Sequence, residues 1–335
     1  MLIRKHEAGS HFQGADWVYE FNSQFVFVFK QSGTLYVPAA KTCKVLIVGG
    51  GGSGGSSAGN NDTGKGGGGG GAILWRTNQS VSAGTYRVRV GRGGRGHSLG
   101  IDSDKNATCA SGEESSIFDV IARGGGSGGC SDNQKRAQKG GSGGGGGARN
   151  SNSGWNNGAG VEQESYSGWN AYGNAGGDTS NGNYPGAGGG GAGGAGGNSS
   201  GSAMATNAQG GTGGSGMDFS AHFGEVVGDK GWFAGGGGGG TYRGSTNTMY
   251  QAPGNGGANN FGGGGFGNSA RESTQGGFFQ SNKLSGMANT GGGGGGSSES
   301  DHDRDDTYNP RNKADWSGAA NGDGGSGVII LSYNI

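Results

Sequence analysis

The 335-residue sequence has few prolines, few cysteines and no long apolar run. Four prolines and no sustained triplet period exclude a collagen-like helix. Three cysteines, Cys43, Cys109 and Cys130, form an odd set without CxxC spacing, which argues against a disulfide framework or a structural zinc site. At most one pair can form, and the simplest interpretation is buried or free thiols.

Charge and hydropathy narrow the class of protein further. The 24 basic and 24 acidic residues balance, so no general field favours nucleic acid or an anionic membrane. The longest apolar runs, FVFVF and VIIL, are too short to span a bilayer, and the first residues lack the apolar core of a signal peptide. We therefore expect a soluble protein that neither inserts into a membrane nor follows the general secretion route.

Two stretches match the sequence motifs of phosphate-binding loops. KVLIVGGGGSGG, residues 44–55, contains the GxGxxG spacing of dinucleotide-binding sites, and Gly59 to Lys65 satisfies GxxxxGK. The first lacks the following helix and the acidic residue that would hold a ribose. The second is followed by Gly66, where a magnesium-binding Ser or Thr is needed. Neither stretch predicts a cofactor.

Other motifs associated with ligand binding or catalysis also lack the residues or the surroundings that those functions need. Arg92 to Gly96 is a single RGG-like element in a neutral chain, and the acidic run 301–306 lacks the glycine and the final Glu of an EF-hand loop. The five histidines show no metal-binding or nucleophile-activating spacing. We expect a protein without enzymatic activity, metal, cofactor or nucleic-acid partner.

The aliphatic residues are concentrated at the two ends of the chain. Of 30 Val, Ile and Leu residues, 26 lie in residues 1–123 or 328–335. Short strands are predicted at Gln24 to Lys30, Thr34 to Val37, Lys44 to Val48, Ala72 to Thr77, Tyr86 to Val90, Ser116 to Ala122 and Val328 to Tyr333. They favour a β-sandwich whose last strand pairs near the first ones. FVFVF is apolar on both faces, which predicts cover on both sides, with a neighbouring subunit as one candidate.

Between these ends the sequence is dominated by blocks of glycine. The blocks lie at 66–71, 124–126, 143–147, 188–191, 235–240, 262–265 and 291–296, among 91 glycines in all. Composition alone would indicate disorder. However, residues 124–327 hold 17 of the 29 aromatic residues, which flexible linkers lack. We therefore expect extended threefold helices packed side by side, where a Cβ would separate the backbones.

The aromatic residues between the glycine blocks have two possible roles. They can plug the bundle, because glycine segments supply no side chains for a core, or they can lie on loops at its end. Tyr and Trp among Asn, Ser and Gly are typical of recognition surfaces and suit sugar faces. The candidate contact residues are Trp155, Tyr166, Trp169, Tyr172, Tyr184, Tyr250, Phe261, Phe266 and Trp316.

From about residue 25 to the end, the order of these features resembles the glycine-rich domain of bacteriophage tail fibres and tail-fibre adhesins. The resemblance rests on the turn at Ser32 to Pro38, on KVLIVGGGGSGG, on GKGGGGGGAILWRTNQSVSAGTYRVRVGRGG, on MDFSAHFGEVVGDKGWFAGGGGGG and on the closing GDGGSGVIILSY. It implies an all-β fold: a β-sandwich that carries packed polyglycine type II segments and long variable loops between them.

The resemblance also sets the expected organisation and function. Residues 1–24 are expected to form an attachment arm that binds other tail proteins, and residues 25–335 the glycine-rich domain, with a β-rich part (25–123), a polyglycine and loop part (124–327) and a closing strand (328–335). The implied protein is a homotrimeric virion component, assembled in the host cytoplasm, whose loops contact a polysaccharide or outer-membrane protein of the host. The alternative is a structural capsid or baseplate module without receptor binding.

Overall fold

The computed structural model describes residues 11–56, 63–96, 109–130, 136–148, 157–179, 185–201, 209–241, 262–265, 284–297 and 321–335. In chain order the elements are β1 (Trp17–Phe21), β2 (Gln24–Phe29), β3 (Gly33–Val37), β4 (Lys41–Val48), β5 (Ile73–Val81), β6 (Gly84–Val88), β7 (Ser115–Ile117), β8 (Val120–Ala122), β9 (Asn170–Tyr172), β10 (Met217–Asp218), α1 (Ser220–Phe223), β11 (Trp232–Phe233) and β12 (Val328–Asn334). The fold is all-β, as predicted. No helix in these ranges is both long and apolar enough to cross a bilayer.

A six-stranded sheet forms the centre of the sandwich. Its strand order is β1-β2-β12-β4-β5-β9, and the neighbouring strands that form it are antiparallel. The predicted return of the last strand is confirmed, because β12 lies between β2 and β4. Alternation of side chains along β2 sends Phe27 to one face and Val26 to the other.

One face of this sheet is covered by a second β layer. The layer contains the pairs β3-β6 and β7-β8, which are joined by a bridge between Arg89 and Ser116. Leu35, Ile117 and Val120 from this layer pack against the inward side chains of the central sheet. The predicted strand at 116–122 is in fact a hairpin, since Phe118 and Asp119 both have positive φ, as a type I′ turn requires.

The opposite face is covered by the segment that contains β10, α1 and β11. Phe219, Phe223 and Phe233 from this segment pack against Trp75 and the valines of β2. The prediction that FVFVF is covered on both sides is therefore confirmed. The suggestion that a neighbouring subunit supplies the cover is wrong, because the same chain supplies it.

The expected attachment arm is in part a component of the sheet. Within residues 11–24, β1 pairs along its whole length with β2, and Phe12 and Tyr19 are buried in the two cores. The expected boundary after residue 24 thus falls inside a hairpin, because apolar side chains on both sides of it share the same cores. Residues 1–10 lie outside the described part of the chain.

Candidate functional site

The candidate site is the end of a glycine bundle, and the bundle is built around residues 65–72, here called the central segment. Its backbone N–H groups donate in a three-residue cycle to three other segments. Gly66 N–H donates to the carbonyl of Gly129 (3.0 Å), Gly67 N–H to that of Ala187 (2.9 Å), Gly68 N–H to that of Gly294 (2.7 Å), Gly69 N–H to that of Gly126 (2.8 Å), Gly70 N–H to that of Gly190 (2.8 Å) and Gly71 N–H to that of Gly291 (2.9 Å). A period of three is that of an extended threefold helix, as predicted for the glycine blocks.

The carbonyl groups of the central segment accept from three further segments. In these bonds Gly55 N–H donates to the carbonyl of Gly66 (2.7 Å), Gly145 N–H to that of Gly67 (2.8 Å), Gly237 N–H to that of Gly68 (2.8 Å), Gly52 N–H to that of Gly69 (2.8 Å) and Ser142 N–H to that of Gly70 (2.9 Å). The central segment therefore has six neighbours, three that accept and three that donate. Its buried backbone polar groups find partners without any β ladder.

At positions 66–71 of the central segment, only glycine fits in this packing. A Cβ on Gly67 would overlap the carbonyl oxygen of Gly237, and a Cβ on Gly68 would overlap that of Gly52. These neighbours are backbone atoms of other segments, so no side-chain rotation can make room. The glycine blocks are thus a packing requirement, and the bundle is a rigid body by construction.

The bundle is fused to the sandwich at one end. β4 runs directly into residues 49–56, the central segment runs directly into β5, and residues 321–327 lead into β12. At this junction Gly49 donates to the carbonyl of Ala72, and Ala72 donates to that of Arg123, at 3.0 and 2.9 Å. The sandwich strands therefore fix the direction of the glycine segments that continue them.

The opposite end of the bundle is called the distal end. Hydrogen bonds there join Lys65 to Ser297 (3.0 Å), Ala148 to Gly64 (3.0 Å) and Gly186 to Gly240 (2.8 Å). The described chain leaves the bundle at this end after Ser56, Gly96, Ala148, Thr179, Thr241 and Ser297, and returns there at Thr63, Cys109, Asn157, Pro185 and Asn321. One end of a rigid bundle thus anchors several connections between glycine segments.

Polar side chains occupy the interior near the distal end. Lys65 is fully buried and its ammonium group donates to the backbone oxygen of Thr63 and, at 2.8 Å, to the hydroxyl of Thr63. The side-chain amide of Asn321 donates to the carbonyl of Gly54. The Asn321 bond joins two glycine segments, whereas the two Lys65 bonds stay within one segment and give the buried ammonium group its partners.

Two cysteines are joined at the distal end. Cys109 and Cys130 form a disulfide, and the interpretation of all three cysteines as thiols is wrong for this pair. The physical reason is the packing of segments 109–114 and 124–130, which brings together residues 21 positions apart. Cys43 is a free thiol in the sandwich core, where burial raises the pKa of its side chain from 9.0 to about 12.

Three of the predicted contact residues lie beside the sandwich and not at the distal end. Tyr166 packs against the core, accepts from the backbone N–H of Ile121 at 3.2 Å and donates to Glu164 at 3.2 Å. Trp169 packs against the same core. Tyr172 is in β9, opposite Ile73, and packs against the other face of the sheet.

The stretch that contains Tyr166 is also held by charge. The guanidinium of Arg123 donates to the carboxylate of Glu164 at 2.7 Å, and this hydrogen bond, with that from Tyr166, lowers the pKa of the Glu164 carboxyl. Arg89 pairs with Glu114 at 2.6 Å on the same side of the sandwich. Tyr166 is therefore anchored by a surface network that the sequence did not indicate.

The other six candidates, Trp155, Tyr184, Tyr250, Phe261, Phe266 and Trp316, lie outside the described residues. For Trp155, Tyr184 and Trp316, the nearest described residues on both sides lie at the distal end. The acidic run 301–306 is also outside the described ranges. Within those ranges, no group of three or more His, Cys, Asp and Glu side chains could hold a metal ion.

Comparison with known proteins gives one family. A family model described as a glycine-rich domain matches residues 30–232, more than half of the 335-residue chain. The match includes β3 to β10, α1, the central segment and four of its six neighbouring segments. No curated protein matches the chain.

Proposed function

Because this chain belongs to the glycine-rich domain family, we propose that it is a non-enzymatic receptor-binding adhesin of a bacteriophage tail fibre. It attaches to the virion through its amino-terminal residues and contacts the host cell surface through the connections at the distal end. The receptor class is a surface polysaccharide or an outer-membrane protein.

The observation that carries the proposal is the convergence of chain connections at the distal end. A hexagonally packed bundle made mostly of glycine has little capacity to recognise anything along its length, because its backbone groups are already paired and most of its few side chains are buried. Recognition must then come from the residues that connect the segments. Between Ala148 and Asn157, and between Ser297 and Asn321, these connections are rich in Asn, Ser and Asp and include Trp155 and Trp316.

The position of the amino-terminal side supports the same arrangement. The described chain begins at His11, whose ring nitrogen lies 2.8 Å from the hydroxyl of Tyr333. Ile335 donates to the carbonyl of Ser23 at 3.0 Å, in the same region. This region, the base, is the end of the sandwich remote from the bundle. An attachment at the base would leave the distal end free to meet a cell.

Two features favoured a structural capsid or baseplate module, the short amino-terminal arm and a doubly apolar strand that a neighbouring subunit could cover. The second no longer favours it, because both faces of β2 are covered within the chain. A trimer remains an expectation from the family resemblance. It predicts a mass by light scattering of three times the 32.8 kDa chain.

The test begins with antibody-gold labelling of particles that carry the chain. Label at the fibre tips is expected, and label over the capsid or confined to the baseplate would overturn the proposal. Trp155→Ala should then lower adsorption to host cells at least about tenfold, the loss expected when an aromatic residue that contacts a partner is truncated. Tyr36→Ala is the matched control, since this exposed aromatic side chain lies on β3 of the sandwich. Equal adsorption of the two variants would count against distal recognition.

A further inference from the structure

The disulfide lies where several glycine segments end. Cys109 begins segment 109–114 and Cys130 ends segment 124–130, and both side chains are more than nine-tenths buried. The hydroxyl oxygen of Ser56, the last described residue of a third segment, lies 3.7 Å from the sulfur of Cys109. The sulfur pair therefore sits at a junction of three segments at the distal end.

Backbone hydrogen bonds begin only one residue further inside. Ser53 N–H donates to the Ala110 oxygen at 2.9 Å, and Gly129 N–H donates to the Gly145 oxygen at 2.9 Å. Deeper in the bundle, Gly112 N–H donates to the Gly125 oxygen at 2.8 Å. Within the described part of the chain, neither Cys109 nor Cys130 makes a backbone hydrogen bond. The covalent bond is thus what holds the last residue of each segment in place.

We infer that the Cys109–Cys130 pair is a redox-dependent fastener of the distal end, open as two thiols while the chain is made in a reducing cytoplasm and closed as a disulfide after release. This inference rests on the proposed function for its change of compartment. Cytoplasmic thiols are kept reduced, whereas extracellular surroundings allow disulfides to persist.

The closing step is thiol–disulfide exchange with a low-molecular-weight disulfide. A thiolate of the pair attacks the reagent, and its sulfur–sulfur bond breaks to leave a mixed disulfide and one released thiol. The second cysteine then attacks the mixed disulfide, so that the protein disulfide forms and the second reagent thiol leaves. The two cysteines are oxidised, the reagent is reduced, and the two cysteine protons pass to the two released thiols.

The test compares the full chain after treatment with a phosphine reductant and after treatment with glutathione disulfide. Thiol titration in denaturant should count three thiols in the first sample and one, Cys43, in the second. Amide hydrogen exchange at Ala110 and Gly112 should be at least about tenfold faster in the reduced sample. Exchange at Leu46, in the central sheet, should be the same in both.

Two variants show which cysteines cause the change in hydrogen exchange. A double Cys109→Ser and Cys130→Ser variant should show the fast exchange after either treatment, and Cys43→Ser should respond as the natural chain does. Three thiols after the oxidising treatment, or equal exchange at Ala110 in both samples, would overturn the inference. Host-cell adsorption is a separate readout: redox-dependent exchange in a chain that adsorbs in neither form would support the fastener and count against the adhesin.

Discussion

Gly68 donates its backbone N–H to the carbonyl oxygen of Gly294, 2.7 Å away, in the interior of the glycine bundle. The two residues are far apart in sequence and have no side chains, so only the close approach of their backbones allows this bond. The bundle is therefore as sensitive to a single methyl group as a close-packed hydrophobic core is.

Gly68→Ala tests this sensitivity. The added Cβ would overlap the carbonyl oxygens of Gly52 and Ser53, so we expect a loss of about 3 kcal/mol, the upper end of the usual cost of overpacking, in the free energy of unfolding. Gly33→Ala is the control, because nothing lies within 4 Å of a Cβ at that position. Denaturant unfolding measures both variants. Similar losses for the two would show that the bundle yields to a side chain.

Phe223→Ala tests the cover of the second face of the sheet. Phe223 is fully buried, and its ring lies 5.7 Å from that of Trp75, so truncation should cost about 3–5 kcal/mol and expose the valines of β2. Val226→Ala, at a side chain that is 51% exposed, should change stability by less than about 0.5 kcal/mol. Thermal unfolding and light scattering report the two effects. A stable, monodisperse Phe223→Ala protein would contradict the assigned cover.

Ser23→Gly is expected to stabilise the chain. Asn22 and Ser23 form the β1-β2 turn with φ values of 48° and 56°, which Gly adopts without the steric penalty of Ser. Asn-Gly is the preferred pair for this turn. The gain should be about 0.5–1 kcal/mol, because removal of a left-handed penalty of roughly 1–2 kcal/mol is partly offset by the greater backbone entropy of Gly in the unfolded chain. The opposite sign is expected for Ser80→Gly in β5, where added backbone freedom destabilises a strand. A decrease in melting temperature for Ser23→Gly would refute the turn assignment.

Alkaline pH should destabilise the fold, because the folded chain keeps a buried thiol and a buried phenol in their neutral forms. Burial raises the pKa of Cys43 from 9.0 to about 12 and that of Tyr333 from 10.0 to about 12. A raised folded-state pKa means that the unfolded chain releases its protons first. Stability contributed by these groups is complete below pH 9 and is lost as pH rises toward 12.

The measurement is denaturant unfolding between pH 7 and 12. Cys43→Ala should show a shallower fall between pH 9 and 10, where the unfolded thiol titrates before the unfolded tyrosines do. The comparison uses slopes, because the truncation itself lowers stability at every pH. Identical slopes for the natural and variant chains would exclude Cys43 as a source of the pH dependence.

The sequence indicates the sandwich strands well, because their apolar residues are concentrated in short runs such as FVFVF and VIIL. It does not reveal β1, whose WVYEF has few aliphatic residues and lies before the recognisable part of the chain. Nor does it reveal the turn at Phe118 and Asp119, since a bulky residue such as Phe rarely adopts positive φ, although Asp does so more readily. The hairpin forms because tertiary packing of Ile117 and Val120 outweighs that local preference.

The bundle is predictable as a type of packing but not as an arrangement. Glycine blocks indicate threefold helices, yet nothing in a run of glycines states which other run will lie beside it. Partner choice depends on sparse side chains such as Asn321 and the Cys109–Cys130 pair, whose contacts appear only in three dimensions. The same reason explains why Tyr166 and Trp169 could not be separated from the candidates at the connections.

The three-residue cycle of the central segment restricts how such a chain can change in length. Adding one residue would turn every later amide by about 120° and direct it at the wrong neighbour, whereas adding three would restore each one to its own partner. Insertions within glycine segments should therefore survive in multiples of three. This restriction does not apply to the connections at the distal end. Their length and sequence can therefore vary while the hydrogen-bond register between the glycine segments stays the same.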